Sequence, residues 1–114
     1  LGDVYKRQDK QIKEQIYFNK GLDHPFDIGH HRLIVENNEF ALDVETTMTN
    51  IVIFTFNDTS EWKSDFNIYK PHSGVALETQ YLPNDINNEG NKAKSILKAN
   101  VPFYAKTIYH ISEK

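Results

Sequence analysis

The segment Phe40-Ala41-Leu42-Asp43-Val44-Glu45-Thr46 puts Phe40, Leu42, Val44 and Thr46 on one side of an extended chain and Asp43 and Glu45 on the other. That period of two predicts a strand with one face on a core and one face in water. Ile51-Val52-Ile53-Phe54-Thr55-Phe56 is apolar on both faces, which predicts a central strand covered above and below. Strands are expected over Ile12 to Phe18, Glu39 to Thr47, Asn50 to Phe56, Gly74 to Gln80 and Phe103 to Ile111, all rich in β-branched or aromatic residues. Turns are expected at Asn37-Asn38, Asn57 to Ser60, Pro71 to Gly74 and Pro83 to Asp85, where Asx side chains cap their own backbone and Gly takes positive φ. Glu89 to Ala99 carries Ala93, Ile96 and Leu97 near helical spacing, but Gly90 and Asn91 weaken its start, so it reads as a loop holding one turn. Strands at short intervals without amphipathic helices between them point to an all-β fold, an antiparallel β-sandwich rather than an α/β fold.

Composition narrows the function classes. The 114 residues are 39% hydrophobic, 12% aromatic and 25% charged, with a formal net charge of −3. Seven Phe and six Tyr supply enough apolar surface to offset the entropy of ordering, so a packed domain is expected rather than a disordered tail. Thirteen basic against sixteen acidic residues, with no Lys/Arg block, leave no electrostatic footprint for nucleic acid or an anionic membrane. Zero cysteines remove disulfides, thiolate nucleophiles and Cys-based zinc sites, and fit a reducing, cytoplasmic setting. No apolar run is long enough to span a bilayer, and no basic-then-apolar leader opens the chain.

Leu1 to Gln8 resembles a translated sequencing-adapter scar and is set aside from the fold argument, leaving residues 9–114 as part of one domain. Met48 is the sole methionine, so the chain is read as a piece of something longer.

The histidines, His24, His30, His31, His72 and His110, raise a metal site first. Metal ligands usually recur at fixed spacing on one face, and adjacent His30 and His31 point to opposite sides if extended, so no metal site is expected. Neither a Gly-x-Ser-x-Gly turn nor a Gly-rich phosphate cradle occurs, which removes serine hydrolysis and nucleotide binding. Two carboxylates stand in unusual settings. Glu78 lies in Ser73-Gly74-Val75-Ala76-Leu77-Glu78-Thr79-Gln80, where alternation groups it with Ala76 and Gln80 at a strand end, just before the Pro83 turn. Asp23 lies in Gly21-Leu22-Asp23-His24-Pro25-Phe26, read as a loop in which Gly and Pro restrict the backbone and aim the carboxylate. On spacing alone, a solvent-facing strand Glu and an Asx-turn Asp are the favoured readings, because most exposed carboxylates do nothing chemical.

These segments resemble the aldose 1-epimerases, the galactose mutarotase family. Gly21-Leu22-Asp23-His24-Pro25-Phe26 is similar to its Gly-aromatic/aliphatic-Asp-His-x-Phe segment, His72-Ser73-Gly74-Val75-Ala76-Leu77-Glu78-Thr79-Gln80 to its His-Ser-Gly-x-x-Leu-Glu-Thr-Gln strand, and Pro83 to Asn87 to its Pro-Asp-Ala-x-Asn turn. Thr46 through Asn57 and Tyr104 to Ile111 resemble two further strands of the family, so the likeness covers nearly everything after the scar. It implies the C-terminal portion of a galactose mutarotase-like supersandwich that binds a hexose in an open cleft. By that resemblance Glu78 is the general base that takes the anomeric hydroxyl proton, and Asp23 hydrogen-bonds sugar hydroxyls. A family histidine outside these residues protonates the ring oxygen, no cofactor is needed, and this piece alone is expected to be inactive. Ring opening needs one hydroxyl to lose a proton while the ring oxygen gains one, and each transfer is worth roughly 10²–10⁴-fold.

Departures are concentrated in one strand. Thr49-Asn50 stands for the family's Pro-Gly, Val52 for its sugar-contacting Gln, Phe54 for Tyr and Phe56 for Gly, while Asn84 replaces the turn Asp. The loss at Val52 motivates a second reading, a non-catalytic sugar-binding or sensing domain on the same scaffold. An enzyme for phosphorylated hexoses would need an Arg/Lys cluster at the cleft, and Arg32 is the sole Arg outside the scar. The expected partner is an aldohexose such as galactose or glucose, with oligomeric state left open.

Overall fold

The computed structural model describes residues 20–114, apart from positions 30, 59, 61 and 67. The expected strand at Ile12 to Phe18, the scar at Leu1 to Gln8 and His30 lie outside the described residues. Among the described residues eight strands are present: β1 (Asp23–Asp27), β2 (Arg32–Glu36), β3 (Phe40–Thr46), β4 (Asn50–Phe54), β5 (Trp62–Lys63), β6 (Ile68–Tyr69), β7 (Ala76–Gln80) and β8 (Thr107–Glu113). Also among the described residues are a short helix, α1 (Asp85–Glu89), and a 3₁₀ turn (Gly90–Lys92). The fold is all-β, as the hydrophobic pattern predicts.

The chain divides into two compact units. One takes Val52–Glu78 with the residues up to Phe26, and is built on the sheet β1-β4-β7 and the pair β5-β6. β4 is its middle strand, and Val52 and Ile53 are buried there, as the apolar run requires. Gly21 to Phe26, expected as a loop, instead runs into β1, so Asp23 opens a strand. Pro25 is tolerated because β1 is an edge of its sheet, where a missing N–H leaves no ladder bond unmade.

The other unit takes Asp27–Ile51 and Thr79–Lys114 and is built on the sheet β2-β3-β8. β3 pairs antiparallel with both neighbours, with Val44 opposite Leu33 and Tyr109. Val44 is fully buried while Glu45 is exposed, so the alternation read in β3 holds. The β2–β3 hairpin closes on Asn37, whose side-chain oxygen accepts from the backbone N–H of Glu39 at 2.8 Å and Phe40 at 2.7 Å. The last strand starts later than expected, at Thr107 rather than Phe103, because its register follows β3 from Thr46↔Thr107 to Phe40↔Glu113. Three hydroxyls form a chain in this unit: Thr107 Oγ1 lies 2.9 Å from Thr46 Oγ1 and 2.9 Å from Thr79 Oγ1.

The helix also departs from expectation. Within Glu89 to Ala99 only the 3₁₀ turn forms, and α1 precedes it on Asp85-Ile86-Asn87-Asn88-Glu89. Asn and Asp are weak helix formers, which hides α1 from a propensity reading. Its placement follows instead from Asn84, left-handed at φ 63°, and from Asp85, whose carboxylate accepts from Ser95 N at 3.0 Å and from Ser95 Oγ.

Candidate functional site

β7 and β1 flank β4, so Glu78 and Asp23 stand on the two outer strands of one sheet. Both residues are exposed, and among the described residues no ion pair engages either. The backbone of Thr55 donates to Leu22 O at 3.1 Å, and Ile28 donates to Thr49 O at 3.0 Å, which fixes β1 and β4 as antiparallel. Continuing that pairing puts Asp23 opposite Phe54, and residues directly opposite share a sheet face. Asp23 forms no Asx turn; its backbone N–H donates to Nδ1 of His24 at 3.1 Å.

A hollow of about 460 Å³ opens beside these strands, walled by Phe54, Phe56, Trp62, Tyr69, Val75 and Ala76. Ala76 is two residues before Glu78 on β7, so alternation gives the two the same face. Phe54, opposite Asp23, borders the same hollow. The two carboxylates that sequence reasoning singles out therefore share a sheet face with an aromatic hollow. Asp58 and Ser73 supply its polar edge. Trp62 Nε1 donates to Asp58 Oδ2 at 2.9 Å, while Ser60 donates to Asp58 Oδ1 through its backbone N–H at 2.8 Å and its hydroxyl at 2.7 Å. The Ser60 hydrogen bonds, joined by the indole N–H, hold the Asp58 carboxyl below the usual carboxylate range.

Sequence reasoning overlooks this wall because Trp62 and Tyr69 sit in strands of two residues, too short for any period to register. The available signal was the run of aromatics from Phe54 to Tyr69. Phe56 stands at φ 48°, a left-handed conformation that a bulky residue rarely adopts and that glycine takes freely. That is the position where the resembled pattern carries Gly. Val52 is buried in β4 and offers no polar group.

The turn expected at Pro71 to Gly74 leads into β7. His72, left-handed at φ 62°, donates its backbone N–H to Phe56 O at 2.8 Å, and its Nδ1 lies 3.1 Å from Thr55 O. A carbonyl oxygen only accepts, so Nδ1 carries the hydrogen. In the other unit a second hollow, of about 370 Å³, is lined by His31, Arg32, Glu45 and Lys106 among others. Its Arg32 is engaged by Asp43, with Nε donating to Oδ1 at 2.8 Å, so it is not a free anchor for a phosphate.

An aromatic hollow beside exposed carboxylates suits a ligand with apolar ring faces and hydroxyl edges. Against models of protein families, residues 2–110 match the one described as aldose 1-epimerase. Neither a curated protein nor a solved structure matches the chain.

Proposed function

The chain belongs to the aldose 1-epimerase family, and on that premise we propose that it serves the interconversion of the α and β anomers of an aldohexose such as galactose or glucose. The family is one of isomerases acting on sugars, which sets the reaction class. In this reading Glu78 is the general base that removes the anomeric hydroxyl proton, and Asp23 accepts hydrogen bonds from sugar hydroxyls. The pyranose opens as its ring oxygen takes a proton from the family histidine outside these residues, the C1–C2 bond turns, and reclosure on the other aldehyde face, with both proton transfers reversed, gives the other anomer. The hollow receives the apolar face of the ring, with Trp62 and Tyr69 as its walls.

The observation that supports this most directly is the shared face: Glu78 and Asp23 both stand beside the aromatic hollow on a single sheet. Polarimetry of the full-length parent on fresh α-D-glucose and α-D-galactose tests it, since this piece alone is expected to be inactive. Glu78→Gln is expected to lower the catalysed rate by roughly 10²–10⁴-fold. An unchanged rate in that variant would remove Glu78 from the mechanism.

Buried, apolar Val52 keeps a sugar-binding module without catalysis as the second reading. The two separate cleanly, because a binder holds sugar with equal affinity in Glu78→Gln and accelerates nothing in either form. Among the described residues no helix is long and apolar enough to cross a membrane. With zero cysteines the cytoplasm is the location we propose.

A further inference from the structure

The hydrogen bonds that hold the backbone just before Asp23 converge on one buried hydroxyl. Thr55 is fully buried. Its Oγ1 accepts the backbone N–H of Leu22 at 2.8 Å and donates to Asn57 Oδ1 at 2.7 Å. Asn57 Nδ2 in turn donates to Leu22 O at 2.8 Å, the same oxygen that accepts the Thr55 N–H at 3.1 Å. Leu22, itself buried, thus has both backbone polar groups held by Thr55 and Asn57, and Asp23 is the next residue.

Gly21 adds a steric constraint to the polar one. Its φ is +111°, and a Cβ there would come within 2.6 Å of Thr55 Oγ1 and closer still to Asn57 Oδ1. The chain before Asp23 is therefore pressed directly onto the two side chains. The third strand meets the same point: His72 Nδ1 reaches Thr55 O, and His72 N–H reaches Phe56 O, at the turn that launches β7 and Glu78.

We propose that Thr55 and Asn57 are positioning residues for the site, one polar node whose side chains set where Asp23 stands against β4, the strand that also pairs with the strand of Glu78. The inference rests on the reading of those two carboxylates given above. Neither Thr55 nor Asn57 is assigned any contact with sugar; their side chains act through the backbone of Leu22. An uncatalysed geometry error of about 1 Å at such a site costs as much as roughly 10²-fold in rate, so a node of this kind is where the sheet holds that geometry.

The test compares Thr55→Val, which keeps the shape and removes the hydroxyl, with Thr55→Ser, which keeps the hydroxyl, in the full-length parent of this chain. Two readouts are taken: amide hydrogen exchange at Leu22, and kcat and KM for mutarotation of α-D-glucose. In Thr55→Val the Leu22 amide is expected to exchange about tenfold faster and KM to rise about tenfold, with a smaller fall in kcat. Thr55→Ser is expected to restore both. Should Thr55→Val fold poorly, Asn57→Ala tests the less buried half of the node, with a smaller shift in the same direction. Unchanged exchange at Leu22, unchanged KM and kcat in a well-folded Val variant, or no recovery with Ser would each overturn the proposal. Absence of mutarotation in the full-length parent counts against the functional reading instead, and the exchange arm still decides the node.

Discussion

The rings of Phe56 and Trp62 meet edge to face, with centroids 5.4 Å apart and planes at 90°. This contact accompanies the left-handed backbone of Phe56, a conformation that costs an ordinary residue roughly 1–2 kcal/mol. Truncation at this position should therefore give an inverted order. Phe56→Ala loses the ring pair and keeps the backbone strain, whereas Phe56→Gly loses the pair and relieves it. Urea unfolding is expected to find the Gly variant the more stable of the two by about 1 kcal/mol, the reverse of the usual ranking inside a strand. The Ala variant proving the more stable would mean that the positive φ carries no strain.

Asp23→Asn addresses the sugar-binding role. The amide keeps the size and one acceptor oxygen but loses the charge that strengthens hydrogen bonds from sugar hydroxyls. KM for an aldohexose is expected to rise about tenfold, with kcat within a few-fold of wild type. A fall in kcat at constant KM would place Asp23 in the proton chemistry instead.

Acid stability should follow three aspartates. Arg32 beside Asp43, the Ser60 and Trp62 donors on Asp58, and the Ser95 donors on Asp85 each hold the carboxyl below its ordinary range. A carboxyl with a depressed folded-state pKa stabilises the fold at pH above its unfolded value, about 3.9, and that contribution is lost as pH falls through the folded value. Melting temperature is therefore expected to drop below about pH 4. In Asp85→Asn the drop should be shallower and the plateau at neutral pH lower. A parallel profile for wild type and variant would show that Ser95 gives Asp85 no linkage to folding.

Thr107 occupies the middle of the hydroxyl chain with Thr46 and Thr79. Thr107→Val leaves both neighbours without their partner in a partly buried setting, and is expected to cost about 1–3 kcal/mol by urea unfolding. The exposed pair of Arg32 and Asp43 should matter less, with Arg32→Ala costing no more than about 1 kcal/mol. Equal costs at the two sites would contradict the burial argument.

The strands that sequence reasoning found are those whose side chains obey one rule along their length. β3 alternates and β4 is apolar throughout, and each sits where that pattern demands. β1 escaped because His24-Pro25 reads as a breaker, a signal that an edge strand overrides. Arg32-Leu33-Ile34-Val35-Glu36 escaped because its outward residue, Ile34, is as apolar as its inward ones, leaving no alternation to see. Glu78 and Asp23 were legible as residue types in motif blocks. Their shared face was not, since it depends on β4 lying between strands more than fifty residues apart. The node at Thr55 arises from the same long-range pairing, which no local window contains, whereas the walls at Trp62 and Tyr69 belong to a local pair of strands too short to show a period.

Gly21 carries a consequence for descent. Any codon change there adds a carbon into space that Thr55 and Asn57 already fill. A library sampling all twenty amino acids at position 21 should return glycine almost alone.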